Sequence, residues 1–511
     1  MRIVIKYLLW FFSFITLIIF YLLSTSLGHK TLGDFLGNYL SKKSKNHLEV
    51  LWLDIDKYPY INMKVKVNHK AEVVLRGEAN REELNMDYHL VGDSFQYGKI
   101  FLNDKLNLTG HLSGTPKEPF VTGEGKIFDG TTTFHFQKVS NQFKDMKIEL
   151  KEVNSIKVLN FLHKPPLIVG KSDINADFKY FSSYKKKGNA LISIKDATMP
   201  TVSGEVPFDL TSTIEFHDLE YQYRGKIDSN IGTLVIKEGL YHSSKHEVQA
   251  HYQLNLKELS YFEKFLKHKY SGTFQSEGIA RYKNDLEVKG ITEDFDGLLK
   301  YTYQDKNLNL NLEGISLVKL LKFLSYPTLL DSKVYGSVDY DMVDKIVLIN
   351  TDLKEARFRQ TKMTDMIFSA TGIDMLKEVY NESCFMGGYQ NAILSSVLKI
   401  DNGQEHIYLT KTKMNSKTNT INSDFEIKMR GEELAGEIYG TLKNPKVSVN
   451  MKKLINYQLN KQLSNMFGTS NKKELLNRGL NSVKKDIKNQ LNEIDVIDVK
   501  DKAKSFIQGF F

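Results

Sequence analysis

The sequence predicts a mainly β protein. An elongated, highly twisted, groove-like sheet with short capping helices is expected between an N-terminal transmembrane helix and C-terminal amphipathic helices. Apolar and polar residues alternate from about Leu48 to Asn450, an uncharged run occupies Tyr7 to Gly28, and a lysine-rich helical periodicity follows Pro445. The predicted regions are a transmembrane anchor at 1–28, a strand-rich repeat domain at 29–450 and a basic amphipathic tail at 451–511.

The N-terminal run contains 22 consecutive residues without a charge, from Tyr7 to Gly28. As a helix it would be about 33 Å long, enough to cross the hydrocarbon core of a bilayer. Arg2 and Lys6 precede it, so we expect a single-pass protein with a cytoplasmic N-terminus and a translocated bulk. Ser24 and Ser26 leave a cleaved signal peptide as the alternative, although the run exceeds the roughly 7 to 15 apolar residues of such peptides.

The middle of the chain has the period of half-buried strands, with roughly 25 candidates, more than one ordinary open sheet contains. Turn signals separate them. Asp401-Asn402-Gly403 predicts a hairpin, as do Lys283-Asn284-Asp285 and Gln304-Asp305-Lys306-Asn307. Because such a sheet must bury its apolar face, we expect it to curl into a trough with an apolar channel, and a sandwich filled by its own side chains is the alternative.

Seven apolar residues at alternating positions are the predicted lining of this groove, and their polar neighbours, such as His135 and Asn309, are expected on the other face. The predicted lining residues are Phe134, Phe136, Ile174, Phe178, Leu308, Leu310 and Leu312.

Two internal repeats favour an extended body of stacked units. Gly110 to Val121 (GHLSGTPKEPFV) recurs as Gly436 to Val447 (GEIYGTLKNPKV), at an offset of 326 residues. Ser155 to Leu162 recurs as Leu317 to Leu324, each ending in Phe-Leu with a proline close behind, which predicts a short helix between strands. A looser copy occupies Leu256 to Leu266.

The tail, 451–511, changes to the period of an amphipathic helix and carries 12 basic and 6 acidic residues, a surplus of 6 positive charges. Contact with a membrane surface and packing against the sheet end are both open at this point. The predicted membrane-contact residues are Lys472, Lys473, Leu476, Leu480, Val483, Lys484, Lys485, Ile487, Lys488 and Leu491.

Catalytic and metal-binding patterns are weak, so the sequence predicts no enzyme, no catalytic residue, no metal and no cofactor. Gly170-Lys171-Ser172 resembles the end of a phosphate loop, but proline stands at 165 where that motif needs glycine. His242 and His246 have the spacing of helical zinc ligands, yet their neighbours indicate a hairpin.

The net charge of +9 comes mainly from lysine, since only nine of the 70 basic residues are arginine. The bidentate forks of specific base recognition are therefore scarce, and we expect no nucleic-acid partner. The single cysteine, Cys384, cannot form an intrachain disulfide and is expected to be a small buried side chain.

A single N-terminal span, a long strand-rich region with helix-capped segments, and GTLKNPKVSVN followed by lysine-rich helices resemble the AsmA-like proteins of Gram-negative envelopes, relatives of TamB and YhdP. GHLSGTPKEPFVTGEGKI at Gly110 to Ile127 is also similar to strand segments of that group. The resemblance implies an inner-membrane anchor and a periplasmic β groove. It also implies phospholipid movement between inner and outer membrane, in support of envelope integrity.

Two functions follow as expectations. The first is an inner-membrane-anchored lipid-transfer protein whose partners are phospholipid and the inner membrane, with the outer membrane or an outer-membrane protein at the far end. The second is a structural or assembly factor that docks an outer-membrane partner through a sheet edge or the tail. An open apolar face supports the first function, and a filled core with an exposed edge strand supports the second.

Overall fold

The computed structural model describes residues 21–22, 25–44, 46–97, 100–199, 206–257, 259–263, 268–360, 364, 374–429, 432–442 and 444–450. Strands account for 65% of them. Twenty-six of the 28 strands form one antiparallel sheet, and β5 and β6 form a separate two-stranded sheet. The prediction of a mainly β chain with roughly 25 strands is confirmed.

The chain divides into two compact units, Met1–Leu254 and Asn255–Phe511. The strands of the first unit are β1 (Leu48–Lys57), β2 (Tyr60–Val67), β3 (Ala71–Ala79), β4 (Leu84–Gly92), β5 (Phe95–Tyr97), β6 (Ile100–Leu102), β7 (Leu106–Gly114), β8 (Pro119–Ile127), β9 (Gly130–Val139), β10 (Gln142–Asn154), β11 (Val169–Phe181), β12 (Lys186–Thr198), β13 (Phe208–His217), β14 (Glu220–Ser229), β15 (Gly232–His242) and β16 (Glu247–Leu256), the last of which ends just past the division.

The second unit repeats the same meander of antiparallel hairpins. Its strands are β17 (Phe274–Tyr282), β18 (Leu286–Thr292), β19 (Leu298–Gln304), β20 (Asn307–Ser316), β21 (Leu330–Asp341), β22 (Ile346–Phe358), β23 (Ser383–Gln390), β24 (Ile393–Asp401), β25 (His406–Asn415), β26 (Thr420–Met429), β27 (Glu432–Thr441) and β28 (Asn444–Val449).

The predicted hairpins form where the turn residues indicate them. Asp305 and Lys306 adopt φ values of 51° and 62° between β19 and β20, the left-handed pair that matches the twist of a two-residue hairpin. In the turn between β24 and β25, Asn402 Oδ1 accepts hydrogen bonds from the backbone amides of Gln404 and Glu405. Side-chain acceptors of this kind are the reason that asparagine favours turns.

The repeated glycine-proline segment is the same hairpin in both units. Gly114 pairs with Pro119 across the turn between β7 and β8, and Gly440 pairs with Pro445 between β27 and β28. Both glycines have positive φ, 90° and 107°, which a residue with a Cβ rarely adopts. The repeat in sequence is therefore a repeat in structure.

Helix α1 (Ser26–Ser44), which the sequence pattern does not predict, lies against β1. A Cβ on Gly33 would stand 3.1 Å from a methyl carbon of Val50, and one on Gly37 would stand 3.0 Å from the carbonyl oxygen of Leu48. These glycines permit the close approach of helix and strand. Among the described residues, no helix combines the length and apolar character needed to cross a membrane.

The two predicted capping helices are present as α2 (Ser155–Phe161) and α3 (Leu317–Phe323). Asn154 and Ser316 are their N-caps, with the same backbone angles of −69° and 115°. The side-chain oxygen of each accepts a hydrogen bond from an amide of the first turn, which satisfies donors that the helix leaves free. The looser copy, Leu256 to Leu266, contains a 3₁₀ turn at Ser260–Phe262. Other residues of this copy lie outside the described residues.

A Phe-Asp-Gly turn supports each capping helix and went unnoticed in the sequence. Phe128 lies 5.6 Å from Phe161 between ring centroids, and Phe295 lies 5.2 Å from Phe323. The aspartate of each turn accepts from a helix lysine, and the carbonyl of each phenylalanine accepts from the N-cap amide. The helix and its turn therefore form one repeated module.

Strand bulges interrupt the register of the sheet in the first unit. Glu152 and Asp196, at φ values of 51° and 49°, each stand beside a shift in strand register. The residues that follow them, Val153 and Ala197, are fully buried. A bulge of this kind bends its strand and increases the local twist.

Candidate functional site

The candidate site is the apolar face of the first unit, where strand register places corresponding side chains side by side. Residues opposite each other in an antiparallel pair project to the same face, so a row of partners defines a line across the sheet. The central row, defined here by its members, runs Tyr88, Gly110, Gly123, Phe134, Ile148, Ala176, Ala190, Ile214, Tyr223 and Gly239.

The middle of the central row carries small side chains. Ala176 of β11 pairs with Ala190 of β12, and Ile148 and Ile214 stand on either side of this pair. Both alanines keep part of their surface accessible to solvent. The side chains of the central row are therefore shorter at these two alanines than at the isoleucines beside them.

Two rows of large side chains flank the central row, each two residues away along the strands. Rows at this spacing lie roughly 6.6 Å from the central one, so the flanking rows stand about 13 Å apart. The isoleucine row contains Leu150, Ile174 and Ile192, and the phenylalanine row contains Met146, Phe178, Gly188, Phe216 and Tyr221.

The phenylalanine row is a continuous chain of ring contacts. The ring centroid of Phe178 lies 5.0 Å from that of Phe216, Phe216 lies 4.9 Å from Tyr221, and Tyr221 lies 5.5 Å from Tyr241. Tilted and edge-on pairs at these distances stabilise one another beyond the area that they bury. Of these four rings, only Phe178 is buried, and the other three are half-buried and keep aromatic surface accessible.

Lys186 adds a cation at the edge of the phenylalanine row. Its Nζ lies 5.6 Å from the ring centroid of Phe181 and 5.2 Å from that of Tyr221, and it donates a hydrogen bond of 2.7 Å to the Tyr221 hydroxyl. Aromatic faces attract such a cation. The positive charge thus stands directly beside the apolar surface.

Tyrosines occupy both ends of the central row, where glycines leave space. The Tyr88 ring covers Gly110 and Gly123, since a Cβ on either would meet the Tyr88 hydroxyl within 2.5 Å. Tyr88 donates to the carbonyl oxygen of Thr122 at 3.0 Å, and burial raises its pKa to about 12. Tyr223 covers Gly239 in the same way, and burial raises its pKa as well. Both hydroxyls therefore remain protonated at neutral pH.

A cleft of about 1130 Å³ is lined by the polar neighbours of the central row and also by residues of that row, Ala176 and Ala190 among them. Its lining includes His111, Lys147 and Asp177, and Lys147 Nζ lies 3.3 Å from an Asp177 carboxylate oxygen. Both side chains of that ion pair are more than half exposed. A charged, hydrated surface of this kind does not favour acyl chains, so the candidate site is the face that carries the central row.

The predicted groove residues fall in both units. Phe134 and Phe136 are in ring contact at 6.1 Å, and both are half-buried. Ile174 belongs to the isoleucine row and Phe178 to the phenylalanine row. The sequence did not single out Ala176 and Ala190 as a floor, because strand register, which the sequence leaves open, brings them together.

The other three predicted residues lie on β20 in the second unit. Leu308 and Leu310 are half-buried and Leu312 is 4% exposed, whereas the alternating asparagines are exposed. Leu312 belongs to a buried cluster against which Leu310 packs. The predicted sidedness of this strand is thus present, and its apolar face is filled by neighbouring side chains.

Several predicted features lie outside the described residues. The predicted span from Tyr7 is described only for residues 21–22 and 25–28, and Gly28 belongs to α1. All of the predicted membrane-contact residues, Lys472 to Leu491, fall in the tail beyond residue 450. Both remain predictions.

The weak catalytic and metal patterns occupy ordinary strand positions. Gly170 to Ser172 belong to β11, and His242 and His246 stand at either end of the turn between β15 and β16. His242 Nδ1 lies 3.2 Å from a Glu220 carboxylate oxygen on the neighbouring strand. These positions give no helical pair of zinc ligands.

No protein-family model, curated protein or solved structure matches the chain. The resemblance to the AsmA-like family stays a prediction from the motifs.

Proposed function

We propose that this protein binds phospholipid on the apolar face of its first unit and carries it between the inner and outer membrane of a Gram-negative envelope, in support of envelope integrity. The observation that carries the proposal is the small-residue pair Ala176 and Ala190, which strand register places between two rows of large apolar side chains. This arrangement supports a groove that runs across the strands.

Acyl chains fit such a groove in size and chemistry. The flanking rows are separated by about 13 Å, and a small floor between large walls leaves room for a chain to lie along the sheet. Covering one methylene group is worth about 0.8 kcal/mol, so a chain of a dozen methylenes is held without any charged contact. A uniform lining of this type allows sliding, since no single position binds much more tightly than the next.

The headgroup would stay at the open side of the groove. Lys186, fixed between the rings of Phe181 and Tyr221, is placed to attract a lipid phosphate while the acyl chain contacts the phenylalanine row. Anchoring of the protein by the run from Tyr7, a periplasmic body and membrane contact by the basic tail belong to the same proposal.

A second candidate, an assembly factor acting through protein contacts, is favoured by the second unit. Its apolar face is filled, and β28 is paired with β27 on one side, with no second partner among the described strands. An edge strand can accept a strand from another protein. This role requires no lipid.

Retention of lipid by the full-length protein tests the proposal. We expect phospholipid to be identified by mass spectrometry in organic extracts of the purified chain. Ala190→Trp should fill the floor, and displacing two methylenes at about 0.8 kcal/mol each should weaken lipid binding roughly tenfold.

The matched control is Asn189→Trp, which adds the same side chain to the neighbouring, exposed position on the opposite face of β12. It should retain lipid at the wild-type level. Equal lipid content in the two variants, or none in the wild-type protein, would contradict the proposal and favour the assembly role. Circular dichroism establishes that both variants are folded.

A further inference from the structure

Three potential metal ligands meet at the start of the first unit, away from the apolar face. His47 precedes β1, Glu49 lies on β1, and His69 lies in the turn between β2 and β3. One ligand atom of each lies within 4.8 Å of the others, and all three side chains are exposed. The two imidazole rings face each other, with centroids 4.3 Å apart and planes inclined by 32°.

Asn68 holds the two histidine-bearing segments together. Its Oδ1 accepts from the His47 amide at 2.8 Å, and its own amide donates to the His47 carbonyl oxygen at 2.8 Å. Its Nδ2 donates to Asn46 Oδ1 at 3.2 Å and to the Gln96 carbonyl oxygen at 2.9 Å. The backbones of His47 and His69 are therefore fixed relative to one another before any ion binds.

The backbone of the turn suits the residues that occupy it. Asn68 and His69 have φ values of 48° and 61°, and asparagine and histidine adopt this region more readily than most residues. His69 is thereby directed back toward the start of β1, next to His47. The turn brings together two histidines that stand 22 positions apart in sequence.

We propose that His47, Glu49 and His69 form a binding site for a divalent transition metal ion, with Zn²⁺ as the representative ion. Two imidazole nitrogens and one carboxylate oxygen are a common ligand set for such ions, and magnesium and calcium prefer oxygen ligands alone. In a tetrahedral zinc site ligand atoms stand about 3.3 Å apart, a separation that small side-chain rotations reach here. Water would complete the coordination.

Two lysines oppose the positive charge of the ion. Lys66 is the strand partner of Glu49, and Lys70 follows His69, although its Nζ lies over the Phe101 ring at 5.8 Å. Their repulsion is screened at the exposed site and weakens binding without removing a ligand.

Titration of the full-length, metal-free protein with ZnCl₂ tests the site, with Co²⁺ absorption as a second measurement that reports coordination directly. We expect one ion per chain at the tightest site. His69→Ala and Glu49→Gln should each weaken it at least about tenfold and change the Co²⁺ spectrum. Asn68→Ala, which removes no ligand, should weaken it by about 10- to 100-fold, as loss of a positioning residue does.

His217→Ala is the control, because that histidine is also exposed and lies 3.8 Å from a carboxylate oxygen, of Glu215. It should leave the tightest site unchanged. Equal weakening in this control, or binding unaffected by His69→Ala, would show adventitious surface binding only and overturn the proposal. In chelator, the melting temperatures of His69→Ala, Glu49→Gln and His217→Ala should agree with that of wild-type protein, which separates ligand loss from misfolding. The outcome does not depend on the lipid-binding role.

Discussion

The two units have the same hairpins and the same capping module, yet their apolar faces differ. Among the described residues, the second unit has one connected cluster of 18 buried hydrophobic side chains. The first unit has two clusters, of six and three. Alternation along strands thus specifies a one-sided sheet in both units. The sizes of the side chains that strand register places together decide whether its apolar face is filled.

The difference is visible at single positions. Leu312 in the second unit is 4% exposed, whereas Leu150, which stands the same five residues before its capping helix in the first unit, is half-buried. We infer that the first unit retains surface for a ligand, and that the second has used the equivalent surface for its own stability.

The largest contrast is expected from photo-crosslinking. A benzophenone side chain at Phe216, in the half-buried phenylalanine row, should capture phospholipid, and one at Phe425, which is 3% exposed in the second unit, should capture none. The reason is that a filled core has no room for an acyl chain. Mass spectrometry of the crosslinked full-length protein provides the measurement.

The three leucines of β20 refine this contrast. The sequence predicts Leu308, Leu310 and Leu312 in the groove lining and Asn309 and His135 on the other face, so crosslinkers at these five positions test that prediction. Capture at Leu308 alone would place lipid at the margin of the buried cluster. Capture at Phe425 as strongly as at Phe216 would remove the distinction between the units.

Loss of core volume should affect stability more in the second unit. Ile315→Ala removes a fully buried side chain, and we expect a loss of about 2–5 kcal/mol in unfolding free energy. Ile192→Ala removes a half-buried one and should cost only about 1 kcal/mol. Hydrogen–deuterium exchange measures the opening free energy of each unit separately. Equal losses in the two variants would mean that the faces are filled alike.

The sequence was sufficient to predict the strands, the hairpins and the capping helices, because each has a local cause. Alternation sets the strand faces, the Asp-Lys and Asn-Gly turns fix their hairpins, and Phe-Leu followed by proline ends a short helix. Helix α1 was missed because its glycines are poor helix formers. Gly33 and Gly37, four residues apart, are the signal that a helix face approaches a strand closely.

The candidate site was predictable only in part. Phe134, Phe136, Ile174 and Phe178 follow from alternation within one strand, but the floor depends on which residues become neighbours across strands. Ala176 and Ala190 become partners through a register that bulges shift by one residue elsewhere in the same strands. Alternation along one strand carries no information about that pairing.

The capping modules should differ in their dependence on lysine. Lys157 Nζ contacts Asp104 at 2.8 Å and Asp129 at 2.6 Å, and the Asp104 side chain is only 11% exposed. Lys157→Met leaves that carboxylate without its cation and should cost about 1–3 kcal/mol in unfolding free energy. Lys319→Met breaks an exposed pair with Asp296 and should cost less than about 0.5 kcal/mol.

The pH dependence of the Lys157 variant has a defined sign. The hydrogen bond from Lys157 lowers the pKa of Asp129 below its usual 3.8. The stability that this ion pair contributes is therefore fully present above pH 3.8 and is lost as pH falls through the lowered pKa. The stability difference between wild-type protein and Lys157→Met should therefore shrink below about pH 4. Denaturant unfolding at pH 7 and pH 3 measures it, and an unchanged difference would contradict the contact.

A further contrast is expected where the repeated hairpin packs under different rings in the two units. Tyr88 covers Gly110 in the first unit, and Phe425 covers the corresponding Gly436 in the second. Tyr88→Phe keeps the ring and removes the hydrogen bond to the Thr122 carbonyl, so it should cost about 1 kcal/mol in unfolding free energy. Burial raises the pKa of Tyr88 to about 12. The stability that the protonated Tyr88 contributes is therefore present below pH 10 and is lost as pH rises from 10 through 12.

Across that interval, Tyr88→Phe should lose less unfolding free energy than wild-type protein. In absorbance titrations, one fewer tyrosine of the variant should ionise near pH 12. A variant as stable as wild-type protein at pH 7 would mean that the ring alone fills the gap over the glycine, as Phe425 does.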